Sequence, residues 1–328
     1  SPENPVLSSA DGVVYDRNRT RLLQCPWGRT GTLAIPGTTT EIGTRAFYNC
    51  AILTEVLVPD SITLIGDGTF HGCMGLTNLV LGRGVTTLGS SAFWDCTSLP
   101  QLTLPSGISA IGDTTFFNCT NLQSVTLPNS LTTLGDAAFA SCTRLASLTI
   151  PESVERIGAR AFENCGSLTR ISIPDRVSTL GSGAFKSCSQ LAHIDLSRTL
   201  NALGYETFWF CTNLQSVVLG DSVEFVGDSA FYNCTHLSRV TLGSAVATLG
   251  SYSFFKCTHL TTLEIPRSVG RINEGALYAC TRLSGVFFQG TPPGFGPDLY
   301  GGGTPATVYH LPGTDGWGTT YAGRPVVL

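Results

Sequence analysis

The sequence predicts a solenoid of about eleven coils, each 23 residues long, with a cap at both ends. One observation is a phrase that recurs without insertion or deletion. Its cysteine falls at Cys50, Cys73, Cys96, Cys119, Cys142, Cys165, Cys188, Cys211, Cys234, Cys257 and Cys280. The other is a strand pattern in every copy, as where Val125 and Leu127 alternate with polar residues. Repeats of about 20–50 residues are typical of solenoids, propellers or arrays.

Residues 1–41 lack the repeat and are predicted to form the N-terminal cap. Two apolar stretches, residues 12–16 and 20–24, flank the polar residues 17–19, which favours a hairpin. Residues 32–36 follow as a first repeat-like strand. A cap is expected because the end coils of a solenoid must be covered.

Residues 42–288 form the uninterrupted array. In each coil we predict one strand of a parallel sheet, a second short strand, and one helical or 3₁₀ turn over the A-F-x-x-C segment. A glycine precedes the cysteine by seven residues in ten copies, and Asn273 takes its place in the eleventh. Because asparagine tolerates a left-handed backbone best after glycine, we expect a positive φ in this column.

The twelve cysteines favour buried thiols over disulfides. Eleven share one column, where parallel side chains suit the geometry of an S–S bond poorly, and a free cysteine packs as a small apolar residue. An even number of cysteines in a secreted chain supports the disulfide alternative. Cys25 lies off the column and is the candidate exception.

Residues 289–328 break the pitch and are predicted to form the C-terminal cap. Their glycines and prolines indicate loops. Residues 307–312 are predicted to be the last strand, and we expect Trp317 and Tyr321 to cover the final coil.

The repeat resembles that of the BspA-like leucine-rich repeat proteins, a family of bacterial and protist surface proteins. The copy from Ile150-Pro151 through Ile157-Gly158 and Ala161-Phe162 to Cys165 and Leu168 matches its typical phrase, and the match covers roughly residues 33–290. The resemblance implies a leucine-rich-repeat solenoid. It further implies attachment to host matrix proteins, other cells or surfaces.

Composition argues against several other classes of function. The net charge is −4 and only two lysines occur, so nucleic-acid binding is not expected. No apolar run of about 18 residues exists, so no membrane insertion is expected. The sequence starts at Ser1-Pro2-Glu3, which we interpret as a mature or trimmed start. We therefore expect a secreted or surface-attached protein whose signal and anchor are not part of this sequence.

The candidate partner-binding residues lie first on the exposed strand face. Two columns flank the buried strand residue, and they carry the charged candidates Arg170, His193, Asp195, Arg239 and Glu264. Charged and polar residues that vary from coil to coil face water. A partner that reads the array would contact them.

A third variable column follows the repeat phenylalanine and is largely aromatic. Its candidates are Trp94, Phe117, Trp209, Tyr232 and Phe255, which fall in two patches. Interfaces favour aromatic side chains, so these patches are a second candidate surface. The competing interpretation, which we favour, is that the rings stack on each other and cover the turns.

The sequence offers no catalytic constellation, phosphate loop, metal site or cofactor site. His236 and His259 share a column, but a metal needs further ligands, and a solvated surface explains the column better. We therefore expect a non-enzymatic, monomeric protein that binds an extracellular protein or glycan in the manner of an adhesin. The alternative is a structural spacer that presents another domain at the cell surface. An enzyme with a site in the caps is a third hypothesis that no residue set supports.

Overall fold

The computed structural model of the chain describes Asn4 and residues 6–328, so the chain start at Ser1-Pro2-Glu3 lies outside the described residues. Two compact units, residues 1–154 and 155–328, divide the chain. Both are parallel β-solenoids with a spacing of about 23 residues, and together they have about 13 turns. The prediction of eleven coils is therefore slightly wrong, because segments assigned to the caps also form turns.

The first unit opens with an antiparallel meander. The strands of the whole first unit are β1 (Leu7–Ala10), β2 (Val13–Asp16), β3 (Arg21–Gln24), β4 (Gly31–Ala34), β5 (Glu41–Ile42), β6 (Leu53–Leu57), β7 (Leu64–Ile65), β8 (Asn78–Val80), β9 (Thr87–Leu88), β10 (Gln101–Thr103), β11 (Ala110–Ile111), β12 (Ser124–Thr126) and β13 (Thr133–Leu134). The meander consists of β1, β2 and β3. Strands β2 and β3 pair antiparallel, which confirms the predicted hairpin. Strand β1 adds to its edge and was not predicted, since Ser8 and Ser9 give it no apolar alternation.

From β4 onward the first unit is parallel. The longer strands pair in the order β4-β6-β8 and β10-β12, and the shorter ones pair β7-β9-β11-β13. Each pairing joins residues one repeat apart, as Val125 faces Leu102. The repeat-like strand predicted at residues 32–36 is β4, which pairs with β6.

The second unit repeats this pattern. Its strands are β14 (Arg156–Ile157), β15 (Arg170–Ser172), β16 (His193–Asp195), β17 (Ala202–Leu203), β18 (Ser216–Val218), β19 (Phe225–Val226), β20 (Arg239–Thr241), β21 (Thr248–Leu249), β22 (Thr262–Ile265), β23 (Arg271–Ile272), β24 (Gly285–Phe288), β25 (Gly294–Phe295), β26 (Thr307–His310), β27 (Thr320–Tyr321) and β28 (Arg324–Val327). The longer strands pair β15-β16-β18-β20 and β22-β24-β26-β28, while the shorter ones pair β17-β19-β21-β23-β25.

The C-terminal segment continues the solenoid further than predicted. Strand β26 pairs in register with β24, so it adds a coil rather than ending the sheet. Strands β27 and β28 then form an antiparallel hairpin. The expected cover is present, because Tyr321 is buried and its hydroxyl donates to the Pro293 carbonyl oxygen at 3.1 Å, and Trp317 packs 5.0 Å from Phe288, centroid to centroid.

Ladders of equivalent residues fill the interior of each unit. The repeat phenylalanines stack, with ring centroids 4.7 Å apart between Phe47 and Phe70 and 5.3 Å apart between Phe162 and Phe185. Threonine hydroxyls make a second ladder near the turns, where Thr235 donates to the Thr212 carbonyl oxygen at 3.2 Å and Thr258 donates to that of Thr235. Each contact joins positions 23 residues apart, so a coil is stabilised by its neighbours.

All twelve cysteines are free and buried, as the sequence favoured. Most column thiols donate to a carbonyl oxygen of the phenylalanine ladder, whereas the Cys50 thiol lies 3.5 Å from Cys25 O. The Sγ–O distance is 3.1 Å from Cys73 to Phe47 and also 3.1 Å from Cys211 to Phe185. Burial raises the pKa of Cys119 to about 12 and raises that of Cys96 and Cys257 as well. These three thiols are therefore protonated at neutral pH.

The A-F-x-x-C segment is not helical. None of the described residues is in a helix, and the segment instead forms tight turns such as that closed by Cys188 N donating to Phe185 O at 3.1 Å. Two left-handed residues per coil interrupt helical geometry. One lies two residues after the column glycine, as at Ala137, and the other directly before the cysteine, as at Phe210 and Lys256.

The expectation of positive φ in the glycine column is wrong. Neither these glycines nor Asn273 adopt the left-handed region. The column instead allows close backbone approach between coils: a Cβ on Gly227 would lie 2.6 Å from both the carbonyl carbon and oxygen of Gly204, and one on Gly250 would lie 2.6 Å from Asp228 N. At Gly227 and Gly250 glycine is needed because it lacks a Cβ.

Candidate functional site

The exposed strand face brings the charged candidates of the second unit together in pairs. Arg170 and His193 are neighbours in register on β15 and β16, and Asp195 lies two residues beyond His193 on the same strand. Their side chains alternate with buried Ile171 and Ile194, so all three face solvent. The alternation of the pleated strand is what places these charges on one face.

These three residues line a depression of about 300 Å³. Arg198 forms its rim, and its guanidinium donates to Asp175 with an N–O distance of 2.6 Å. Hydrogen bonds from Arg198 lower the pKa of Asp175, so this ion pair persists at mildly acidic pH. Arg198 is therefore already paired with Asp175. Arg170 faces solvent and forms no ion pair among the described contacts, so its guanidinium is available to a partner.

A second depression of the same face holds the other two charged candidates. It has a volume of about 530 Å³, and Arg239, Glu264, Asp221 and Gln289 contribute to its lining. The carboxylate of Asp221 accepts a hydrogen bond from Ser244 N at 2.8 Å, and this bond lowers the pKa of Asp221. Glu264 is exposed on β22 and remains available to a ligand.

The two depressions share one pattern. Each has an arginine in the first strand column and a carboxylate in the second column of the following coil, Arg170 with Asp195 and Arg239 with Glu264. The two pairs are three coils apart. At about 4.8 Å per coil, this spacing is roughly 14 Å. The strand face of the second unit therefore carries two similar zwitterionic positions.

The first unit has a counterpart whose strand columns carry no charged residue, and we did not single it out from the sequence. A depression of about 460 Å³ lies on its strand face, lined by Asn78, Gln101, Thr103, Ser124 and Arg83 among others. Apart from Arg83, these residues occupy the same two columns as the charged candidates. The signal that could have found them was their position in the repeat, because their residue types alone are ordinary for an exposed strand.

The aromatic candidates lie elsewhere in the coil and form two ladders. In the first unit, Trp94 stacks between His71 and Phe117, with centroid distances of 5.5 Å and 4.3 Å. In the second, Tyr232 lies 6.0 Å from Trp209 and 4.4 Å from Phe255. All of these rings are half-buried.

Stacking occupies the ring faces and leaves mainly edges for solvent. At the start of the second ladder, Lys186 Nζ lies 4.6 Å from the Trp209 centroid and 2.7 Å from a Glu206 carboxylate oxygen. This cation covers the outer face of Trp209 as well. None of the aromatic candidates lines the strand-face depressions, so the structure does not bring the two candidate surfaces together.

A fourth depression, of about 450 Å³, lies in the C-terminal segment and was not predicted. Tyr300 and Arg324 help to line it, and Arg324 donates to the Tyr300 carbonyl oxygen at 2.9 Å. This segment does not follow the 23-residue repeat, so the repeat could not predict where Tyr300 and Arg324 lie.

Groups of titratable residues suited to chemistry are sparse. Among residues 6–328 no three His, Cys, Asp or Glu side chains are arranged to hold a metal ion. His236 and His259 stack at 5.0 Å, and each Nδ1 lies against a backbone carbonyl oxygen, at 2.7 Å from Thr212 and 2.6 Å from Thr235. A membrane-crossing helix is likewise not found in the described part of the chain.

Comparison with known proteins gives a consistent picture. A family model described as the BspA type leucine-rich repeat region matches six copies, over residues 29–145, 109–235 and 201–294. A search of curated proteins found no match.

Several solved structures are similar. A leucine-rich repeat protein from Bacteroides ovatus is 25% identical, with a TM-score of 0.67 and 93% of each chain covered. A leucine-rich cell surface protein from Faecalibacterium prausnitzii is 24% identical, with a TM-score of 0.60 and coverage of 96% of this chain and 97% of that one. The pneumococcal vaccine antigen PcpA is 17% identical, with a TM-score of 0.53 and coverage of 93% and 87%.

Proposed function

Because the chain belongs to the BspA-type leucine-rich repeat family, we propose that it is a non-enzymatic recognition domain of an exported or cell-surface protein. Its repeat suits binding or adhesion, since stacked coils present a long row of variable side chains. The proposed partner is an extracellular protein or glycan. We further propose that residues 1–41 and 289–328 act as caps to the array of residues 42–288.

One observation carries the choice of surface. Three of the four depressions described above lie on the exposed strand face, and in the second unit two of them contain the charged candidates. Arg170 and Arg239 each offer a planar guanidinium, which can bind a carboxylate or sulfate through two parallel hydrogen bonds. Asp195 and Glu264 supply acceptors for cationic or hydroxyl groups of the same partner.

The aromatic ladders support recognition less strongly. Sugar rings and partner side chains stack on aromatic faces, and these faces are already covered by neighbouring rings. Removing Trp209 would therefore act on stability before it acts on binding. The strand face is therefore proposed ahead of the aromatic patches as the contact surface.

The test is a binding screen of the purified chain against extracellular matrix proteins and a glycan array. The Arg170→Glu/Arg239→Glu variant is expected to weaken binding of any hit at least about tenfold, since charge-assisted contacts are among the stronger interface interactions. The matched control is Arg271→Glu/Arg282→Glu, which reverses two exposed arginines of the same unit that line neither charged depression.

Equal loss in both variants, or unchanged affinity in the strand-face variant, would exclude the strand face as the contact surface. A hit that is lost only in a Trp94→Ala/Trp209→Ala variant would move the site to the aromatic ladders. The absence of any hit would favour the spacer function, which places recognition in another domain.

A further inference from the structure

Four exposed charges on the strand face of the second unit have no partner within the chain. They belong to Arg170, Asp195, Arg239 and Glu264. None of them takes part in an ion pair or a side-chain hydrogen bond of the described residues. In the same columns of the first unit, by contrast, the carboxylate of Glu55 accepts hydrogen bonds from both neighbouring coils. The four charges are therefore available to a partner.

The register of the sheet fixes how far apart these charges lie. The two arginines belong to one row of register partners, which runs from Arg170 through His193 and Ser216 to Arg239. Three strand spacings of about 4.8 Å place the two arginine positions roughly 14 Å apart. Each carboxylate lies in the second column one coil beyond an arginine, so the two carboxylates have the same spacing. The charges of the four residues therefore alternate in sign along the solenoid.

The mixture of signs determines which class of macromolecule fits all four charges. A sulfated glycan would satisfy the arginines but would be repelled by the carboxylates of Asp195 and Glu264, and a polycation would meet the reverse conflict. A polypeptide can carry acidic and basic side chains at defined positions. A peptide segment of a protein partner is therefore the ligand class that these charges favour.

The spacing of roughly 14 Å then selects the backbone conformation of that segment. In an α-helix this rise takes about nine residues, or two and a half turns, so a second acidic side chain would point away from the sheet. In a polyproline II helix it takes about one and a half turns, with the same result. In an extended strand it takes about four residues, and side chains four residues apart lie on one face.

We propose, on the basis of the function proposed above for the strand face, that its partner contributes an extended peptide segment of alternating charge. Acidic side chains at positions i and i+4 of the segment bind Arg170 and Arg239. Basic side chains at i+2 and i+6 bind Asp195 and Glu264, since these positions lie within about 2 Å of the two carboxylate positions along the solenoid. The segment runs across the strands and uses every second side chain, so it needs no free sheet edge.

The test uses the folded full chain and a fluorescently labelled peptide with capped ends, Glu-Thr-Lys-Thr-Glu-Thr-Lys, whose threonines favour an extended backbone. Fluorescence anisotropy at low salt measures the dissociation constant, because exposed ion pairs are screened at high salt. The control peptide, Glu-Thr-Lys-Glu-Thr-Thr-Lys, has the same composition but turns its second glutamate to the opposite face. It is expected to bind at least about tenfold more weakly.

A charge exchange locates the peptide on the sheet. Arg239→Glu should weaken binding of the matched peptide at least about tenfold, since two carboxylates would then oppose each other. A peptide with lysine in place of its second glutamate should recover most of that affinity on this variant and bind the wild type poorly. Arg271→Glu is the control on the chain, because Arg271 is exposed but lines neither charged depression, and it should leave binding unchanged.

Three results would each overturn the proposal. They are no binding of the matched peptide up to about 1 mM, equal affinity for the matched and control peptides, or no recovery by the lysine peptide on Arg239→Glu. Such a result leaves the proposed function standing if the Arg170→Glu/Arg239→Glu variant still loses a hit of the binding screen, since the strand face would then bind another shape. If neither the peptides nor the screen depends on these arginines, both proposals fail.

Discussion

At the residue scale, the sequence correctly revealed a column of glycines, but the cause of that column is not the positive φ that we expected. Glycine is selected there by the distance to the preceding coil, which a sequence pattern does not contain. The left-handed positions are instead filled by residues as different as Ala137, Phe210 and Lys256. Their variety hid them, although Asn49, Asn118 and Gly72 in the column before the cysteine are of the residue types that favour a positive φ.

The close approach leads to a prediction at Gly227. Gly227→Ala should lower the free energy of unfolding by about 1–3 kcal/mol, because the added methyl overlaps the Gly204 backbone and the coils must separate. Chemical denaturation monitored by circular dichroism measures this change. Gly270→Ala is the control, since a Cβ there meets no atom within 4 Å, and it should change stability by less than about 0.5 kcal/mol. Equal effects of both substitutions would refute the close-approach explanation.

At the element scale, the sequence specified the strands well and the turns poorly. Alternation around Val125 and the apolar pair at Val226 predicted strands because burial of one face determines both. The hairpin of β2 and β3 followed from its polar turn. Helical turns were predicted from the short A-F-x-x-C segment, but hydrogen bonds to adjacent coils, such as Phe185 N to Thr207 O at 3.0 Å, override local preference. Strands β27 and β28 had no repeat phrase to reveal them.

The aromatic ladder of the second unit yields a prediction about stability. Phe255→Leu keeps an apolar side chain but removes stacking on Tyr232 at 4.4 Å and on Tyr278 at 5.4 Å. Two such ring pairs are worth about 0.5–1.5 kcal/mol each beyond their buried area, so a loss of about 1–3 kcal/mol is expected. Tyr205→Leu is the control, because its ring is exposed and touches Phe225 only edge-on at 6.2 Å.

Thermal and denaturant unfolding of both variants measures the comparison. The ladder variant should lose at least twice as much stability as the control. A loss no greater than that of Tyr205→Leu would mean that the rings contribute little to packing and are free to serve recognition.

At the scale of the whole molecule, the buried thiols make stability depend on pH. Burial raises the pKa of Cys119, Cys188 and Cys280 to about 12, against 9.0 for an ordinary thiol. Between these values the unfolded chain has lost thiol protons that the folded chain keeps. Unfolding therefore becomes easier as pH rises from about 9 to about 12, and this contribution is fully present below pH 9.

The expected slope is a loss of about 1.4 kcal/mol of unfolding free energy per pH unit for each buried thiol. Denaturant titrations at several alkaline pH values measure it. The Cys119→Ala variant should show a slope smaller by the contribution of one thiol, even if the variant is less stable than the wild type at neutral pH. An identical slope in the variant and the wild type would show that the Cys119 thiol does not contribute.

The sequence predicted which candidate residues face solvent, but not which of them lie together in one depression. The repeat assigned Arg170 and Glu264 to solvent-facing positions because their neighbours on the strand are buried. It did not show that Arg170 joins Asp195, and Arg239 joins Glu264, in separate depressions, since that depends on side-chain packing between coils. The place of Cys25 was also hidden: its N–H donates to Ala46 O as that of Phe47 donates to Thr69 O, but Cys25 stands one residue out of register with the phenylalanine column.

The constant pitch has a consequence for how such a chain can change in length. Each coil contacts its neighbours through equivalent positions, as Thr235 and Thr258 do. Deletion or duplication of one whole coil recreates every one of these ladders at the new junction. Insertion of a single residue in a strand would turn its side chains to the opposite face. Gene rearrangements should therefore be tolerated in steps of one repeat, which lets the exposed strand face grow or shrink without a new fold.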